Sequence, residues 1–348
     1  MKRVVGDAGS LTEEQLGDLL RTLGLLDDDR PVFEPAGDGN INWVRRARSQ
    51  TGRTVVIKHA RPALERFPEY QTSTRRIVFE HLYYEIARRY DEDRVCPPIY
   101  YFDEAHRLLV LKDLGSAERL DDALLRGADL DPALTILTRF LGLVHAATRD
   151  DDRLVERFRN DDIQRLHGDH IFKLPYQEND FPLPPEVADR ARELRRSGAL
   201  EETAARAYHR YLEPHGALVH GDVQPGNVLL RSSGPTLLDA EIAHVGDPAF
   251  DVGTLLAHLW LARLVAPPRS PATDQASALW DAYTTASRTA VVPFADVARY
   301  AGLEMMRRTI GAARVKAVES AEASLRAIDI AERLVQEPPK TPQEIDLG

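Results

Sequence analysis

Cysteine is almost missing from this 348-residue chain. The single Cys96 cannot close an internal disulfide, and no pair or quartet of thiols exists to hold zinc, so a reducing, cytoplasmic setting is expected. Long apolar runs are missing too. The basic start of MKRVVGDAGSLTEEQLGDLL leads into no stretch suited to a signal sequence or membrane anchor, and no membrane partner is expected. Basic charge is in deficit, with 45 Lys and Arg against 55 Asp and Glu and a net charge of −10. That balance argues against a surface built for nucleic-acid phosphates or anionic lipid, leaving room only for a local basic pocket. Internal repeats and low-complexity tracts are also lacking. The remaining composition, 43% hydrophobic and 29% charged, is that of a soluble globular protein. At roughly 100 to 200 residues per domain, the length predicts about two domains.

Hydrophobic periodicity orders the elements. SLTEEQLGDLLRTLGL places Leu16, Leu19, Leu20 and Leu23 at helical spacing, with Ser10 and Glu13 in the pattern of a capping box. VFEPAGDGNINWVRRARSQTGRTVVIKHA reads as strands around glycine-containing turns, with a hairpin turn near Thr51 and Gly52. STRRIVFEHLYYEIARRY is a helix by period, and PPIYYFDEAHRLLVLKDL reads as two more strands. From Leu120 onward the pattern is mostly helical, broken by YQENDFPLPPEV and by the strand-like NVLL and TLLDA. The fold class expected is α+β, with a strand-rich lobe over residues 1–114, a mainly helical lobe over 115–336 and a loose tail over 337–348.

Two stretches contain the triplet His-Gly-Asp. In LVHGDVQPGNVLL, residues 218–230, His220, Gly221, Asp222 and Asn227 form a polar loop that runs straight into an apolar strand. Phosphoryl transfer to a hydroxyl needs a carboxylate to orient the nucleophile and take its proton, and oxygen ligands for the magnesium that bridges the phosphates. Asp222 suits the first task and Asn227 the second; a capped loop in which both merely satisfy backbone amides is the alternative. The next strand ends at Asp239. Strand alternation puts Glu241 on the same face, and two adjacent carboxylates call for a hard cation such as magnesium. Asp251 is either a helix-start residue or a brace for the loop.

The N-terminal part supplies phosphate-binding chemistry. Gly37 and Gly39 in GDGNIN allow backbone amides to approach phosphates without a Cβ in the way, although a plain hairpin turn is the commoner use. Lys58 emerges from the apolar strand TVVIKHA and needs an anionic partner. Glu80 in the following helix is its candidate, with Glu85 as competitor.

With these residues in view, the chain resembles the aminoglycoside phosphotransferase and choline kinase superfamily of small-molecule kinases. GDGNIN with VIKHA, VLKDLGS, DAE and MMRRTIGAA at 305–313 are similar to its 5-methylthioribose kinase branch. The resemblance implies a bilobal protein-kinase-like fold with ATP and Mg2+ as cofactors, a small sugar-containing acceptor and a homodimer. Residue by residue, it implies Asp222 as catalytic base and Asn227, Asp239 and Glu241 as magnesium ligands. His220 and Asp251 would support the loop. Gly37, Asp38, Gly39, Asn40, Lys58 and Glu80 fall to the nucleotide, and Arg307 and Arg308 to the acceptor. The alternative is that adjacent arginines on a helix diverge by about 100°, so that at most one points inward while the other stays solvated.

HGDVQPGN is closer to the broader antibiotic-kinase pattern than to the methylthioribose loop, leaving the acceptor open between a salvage sugar and an antibiotic. A regulatory pseudokinase is disfavoured by the joint presence of Lys58, Asp222, Asn227 and Asp239. A protein kinase is disfavoured by the missing APE-type segment. The second triplet, His167, Gly168 and Asp169, has Leu174 where the Asn would stand. It reads as a coincidence of letters in a surface loop or in core packing, although it is similar to the segment that walls off the acceptor in methylthioribose kinases, where His167 and His170 would touch substrate.

Overall fold

The computed structural model describes residues 11–27, 30–37, 42–62, 72–266, 270–288 and 292–348. Its contacts divide the chain into two units, Met1–Glu85 with Pro97–Ser116 and Ile86–Cys96 with Ala117–Gly348.

The first unit begins with helix α1, Glu13–Thr22. Its capping box is formed by Thr12 and Gln15, whose side chains each accept the other's backbone amide at 3.2 and 2.9 Å. The box expected on Ser10 and Glu13 is displaced: Ser10 lies outside the described residues, and Glu13 sits in the first turn. The T-x-x-Q run meets the same rule two residues later.

Strands β1 (Val32–Pro35), β2 (Trp43–Arg48), β3 (Thr54–His59), β4 (Ile99–Asp103) and β5 (Leu108–Lys112) form an antiparallel sheet in the order β1-β2-β3-β5-β4. Gly52, at φ +87°, makes the left-handed step between β2 and β3. Alternation along β3 builds two cores. Val55 and Ile57 join Leu16 and Leu20 of α1 with Trp43, Leu108 and Val110. Val56 packs on the other face with Leu109, Leu111 and Ile77 of helix α2, Arg76–Ala87. Lys58 shares the parity of Val56, so its amine projects on the side of α2.

The second unit contains β6 (Glu118–Arg119) and helices α3 (Leu120–Leu125), α4 (Asp131–Thr148), α5 (Asp152–Arg157), α6 (Asp161–Phe172), α7 (Pro185–Ser197) and α8 (Ala199–Leu212). Four short strands follow: β7 (Ala217–Val219), β8 (Val228–Arg231), β9 (Gly234–Leu237) and β10 (His244–Gly246). Helices α9 (Ala249–Ala262), α10 (Ala272–Ser287), α11 (Phe294–Ile310) and α12 (Ala321–Gln336) complete it. Every residue of α9 is buried, as its apolar composition on all sides requires. It lies so close to α11 that a Cβ on Gly253 would meet the Val297 carbonyl at 2.7 Å.

Residues 337–348, expected as a loose tail, are packed. Pro342 and Ile345 are buried, and Gln343 donates to the Ser277 hydroxyl of α10 at 3.0 Å. Burial of these two apolar side chains supplies the anchoring that a polar tail would lack. Among the described residues no helix is long and apolar enough to cross a membrane.

Candidate active site

Loop 220–227 leaves β7 and enters β8, and its shape is held from below by α9. Asp251, in the first turn of that helix, accepts the backbone amides of His220 at 2.8 Å and Gly221 at 2.9 Å. His145 of α4 faces the same carboxylate at 3.2 Å and reaches the Tyr283 hydroxyl at 3.1 Å with its other ring nitrogen. Burial would raise the Asp251 carboxyl, but the bond and charge of His145 and the amide of His220 bring it below the usual carboxylate range. Asp251 thus lies in the first turn of α9, whose N-cap is Pro248, and spends its carboxylate on the loop amides rather than on those of its own helix. Gly221 is obligatory at its place, with φ +83° and a Cβ position 2.8 Å from the Ile242 carbonyl.

His220 is fully buried and takes the Asp222 amide on Nδ1 at 3.3 Å. Asn227 donates to the Asp222 carbonyl at 3.0 Å and to its Oδ2 at 2.8 Å, and Gln224 adds a second bond to Oδ2 at 2.9 Å. Asp222 Oδ1 is buried yet has no hydrogen-bond partner among the described residues. One carboxylate oxygen is thus fixed and the other kept for something else. With its Nδ2 engaged by Asp222, Asn227 retains Oδ1 as an acceptor, the kind of oxygen a hard cation takes.

The Leu238 amide donates to the Asn227 carbonyl at 2.8 Å, which carries the β8-β9 pairing one step past Val228 and Leu237 and leaves Asp239 as the next residue of the chain. The strand, however, ends at Leu237. Asp239 is in the left-handed region at φ 65° and ψ 48°, and residues 240–242 form a 3-10 turn. Asp239 and Glu241 are therefore not alternate residues of one strand, because the chain turns before Glu241. That side chain is buried. Among the described residues no group of three or more His, Cys, Asp or Glu is arranged to hold a metal. A divalent cation here would rest on the mixed set of Asn227 and Asp239, with Glu241 nearest in sequence.

In the first unit Lys58 pairs with Glu80 at 2.7 Å, with side chains 4% and 0% exposed. Glu85 is exposed, so Glu80 is the partner. Gly37 has φ +84° and open space where a Cβ would go, while Asp38, Gly39 and Asn40 lie outside the described residues.

In the last turn of α11 the diverging arrangement does not occur. Both Arg307 and Arg308 turn inward, because Glu304 stands three and four residues before them on the same helical face. Arg308 Nε donates to Glu304 Oε1 at 2.6 Å, and Arg307 Nη1 reaches the same carboxylate at 3.2 and 3.3 Å. His258 of α9 approaches Glu304 at 3.3 Å. Arg308 Nη2 donates to Gln224 Oε1 at 2.9 Å, which ties this cluster to the loop that holds Asp222.

The second His-Gly-Asp triplet belongs here as well, against the expectation of coincidence. It lies on α6, where His167 is buried, accepts Arg307 Nη1 on Nε2 at 3.0 Å and stands 3.9 Å from Asp222 Oδ1. Glu304, Gln224, His258 and His145 escaped sequence reading altogether. The signals available were modest: His167 falls four residues from Ile163 and from Ile171 on an apolar face, and Glu304 has helical spacing to both arginines.

A model described as the phosphotransferase enzyme family matches residues 32–288, well over half of the chain. The chain belongs to that family. A methylthioribose kinase of Geobacillus sp. (strain WCH70) is 27% identical to this phosphotransferase over 362 residues, covering 93% of this chain and 90% of that one. A choline kinase from Cryptosporidium parvum Iowa II superposes with a TM-score of 0.58 at 12% identity, over 94% of this chain and 96% of the other. An amicoumacin kinase solved with AMP-PNP and Ca2+ gives a TM-score of 0.51 at 14% identity, over 96% and 97%. The α+β protein-kinase-like fold and the small-molecule kinase class read from the motifs are those found.

Burial and charge set the protonation of the candidate site. Burial works to raise the Glu304 carboxyl, but the Arg307 and Arg308 guanidiniums overrule it and hold the group well below its ordinary value. Burial, reinforced by the charge of Arg307, pushes His167 well below the usual histidine range, so its ring is neutral at pH 7. Burial lowers His258 and His220 in the same way. The cluster round Asp222 is therefore balanced, two guanidiniums against the carboxylates of Glu304 and Asp222.

Proposed function

We propose that the protein transfers the γ-phosphoryl group of ATP to a hydroxyl of a small, uncharged, sugar-containing acceptor. The observation that carries the reading is Asp222, with Oδ2 held by Asn227 and Gln224 and the buried Oδ1 left without a hydrogen-bond partner among the described residues. An acceptor hydroxyl donating to Oδ1 is oriented for in-line attack. As its oxygen bonds to the γ-phosphorus, the bond to the β-γ bridging oxygen breaks, ADP leaves, and the hydroxyl proton passes to Asp222.

Asn227 and Asp239, joined by Glu241, would hold Mg2+, which would supply positive charge to offset that of the phosphates. Residues 1–114 take the nucleotide, with Lys58, fixed by Glu80, against the α- and β-phosphates and Gly37, Asp38, Gly39 and Asn40 as further nucleotide-binding residues. Residues 115–336 take the acceptor and the chemistry. His220 and Asp251 keep the loop in shape, and Arg307 and Arg308 bind acceptor oxygens.

Charge balance favours a neutral acceptor. A polycationic aminoglycoside gains nothing from a site whose carboxylates are matched by guanidiniums, whereas a neutral sugar can use those guanidiniums as fixed donors. Methylthioribose kinases among the relatives point the same way. The test is a coupled ADP-release assay with ATP and Mg2+ against 5-methylthioribose, other pentoses, nucleosides, uronic acids and aminoglycosides. Turnover with a neutral sugar supports the reading, and turnover confined to aminoglycosides sinks it.

A further inference from the structure

Helices α8, α11 and α12 enclose a cavity of about 320 Å³, none of whose lining residues takes part in the cluster round Asp222. Its size is at the lower end of small-molecule pockets, roughly 300–1,000 Å³. Arg206 and Arg210 of α8 and Arg299 of α11 line it, with Asp296 as the single carboxylate. Two further carboxylates, Asp247 against Arg210 and Glu202 beside Arg206, stand outside the lining, so the face turned to the cavity is richer in guanidinium than in carboxylate.

The guanidiniums are incompletely used. Asp296 is shared by Arg210 at 2.9 Å and Arg299 at 3.0 Å. Among the described residues Arg206 meets only the Thr203 hydroxyl at 2.9 Å and Glu202 at 3.9 Å. Each guanidinium offers about five N–H donors in a fork that fits planar carboxylate and phosphate oxygens. The three are anchored to different degrees, since the side chains of Arg206, Arg210 and Arg299 are 69%, 40% and 32% exposed.

We propose that this cavity binds a small organic oxyanion, a carboxylate- or phosphate-bearing metabolite, through Arg206 and Arg299 with Arg210 as the anchored third donor. Such a ligand competes with Asp296 for Arg210 and Arg299. Arg210 also holds Asp247 at 2.6 Å, and Asp247 accepts the Ala249 amide at 3.0 Å at the start of α9, four residues before the Asp251 that braces loop 220–227. Occupancy is thereby linked through bonded groups to the loop, and turnover is the property it should alter.

Isothermal titration of the full chain with citrate and with inorganic phosphate, at ionic strength held constant with NaCl, needs no turnover and so stands apart from the kinase reading. One saturable equivalent is expected, weakened about tenfold or more in Arg206→Gln/Arg299→Gln. Arg192→Ala, an exposed arginine on α7 outside the cavity lining, should bind like the parent. The citrate and phosphate arms show which oxyanion is preferred. Failure of both to bind, or equal binding in the double variant with its circular dichroism intact, overturns the site. Binding with unaltered turnover upholds the site and overturns its link to the loop.

Discussion

The same three letters, His-Gly-Asp, occur at 220–222 and 167–169, and the protein uses them in opposite ways. At 220–222 the backbone leaves a strand with Gly221 in the left-handed region, so successive side chains are distributed by the loop: His220 is buried and Asp222 is presented to the site. At 167–169 the chain is helical, and steps of about 100° send the three residues apart. His167 goes inward to Arg307 and Asp222. Gly168 lies against Tyr208, and Asp169 bonds the Tyr208 hydroxyl at 2.8 Å and Lys173 at 2.7 Å. In the loop the aspartate matters to the site; in the helix the histidine does. Local backbone geometry, not the motif, assigns the role.

The sharpest way to break this comparison is to remove each aspartate. Asp222→Asn should lower kcat by about 10²–10⁴-fold, the usual contribution of a positioned base, with an unchanged melting temperature. Near-normal turnover in that protein would end the assignment.

The next effect is on stability. Asp251→Asn exchanges a buried carboxylate that accepts two loop amides for a group with one acceptor oxygen, and should cost about 3 kcal/mol. Because the folded carboxyl is below its unfolded value, its contribution is full above about pH 4 and is lost as pH falls through the folded value. The gap in melting temperature between parent and variant should therefore narrow on acidification below about pH 4. A gap independent of pH would contradict the bracing role as an ionised group.

Smaller is His167→Ala. Loss of one hydrogen bond to Arg307 is worth about 1 kcal/mol, a several-fold rise in acceptor KM with kcat and the KM for ATP little changed. A fall in kcat alone would place His167 in the chemistry instead. Least of all is Asp169→Asn, which loses a half-exposed pair with Lys173 and should shift stability by about 0.5 kcal/mol or less, with steady-state kinetics unaltered.

Much of the site was legible because phosphoryl-transfer chemistry restricts residue types and spacing. Asp222 and Asn227 five apart between His-Gly and a strand are recognisable without coordinates, and Lys58 at the end of an apolar strand announced a need for an anion. Reading failed where tertiary packing chose between local options. The strand rule placed Glu241 beside Asp239, but the chain enters a left-handed turn at Asp239 and the rule ceases to apply. The divergence of neighbouring helical arginines is sound for an isolated helix. Here long side chains reach back to Glu304, and the buried carboxylate outweighs the initial direction of their Cβ atoms.

What the sequence by itself determined is the family, the order of elements and the identity of the loop residues, because periodicity and motif spacing are properties of the chain. Only the tertiary structure decided which groups share one buried volume. His167 of α6, His258 of α9 and Glu304 of α11 are remote in sequence, and they meet because burying charge demands partners that the fold must bring together from separate helices.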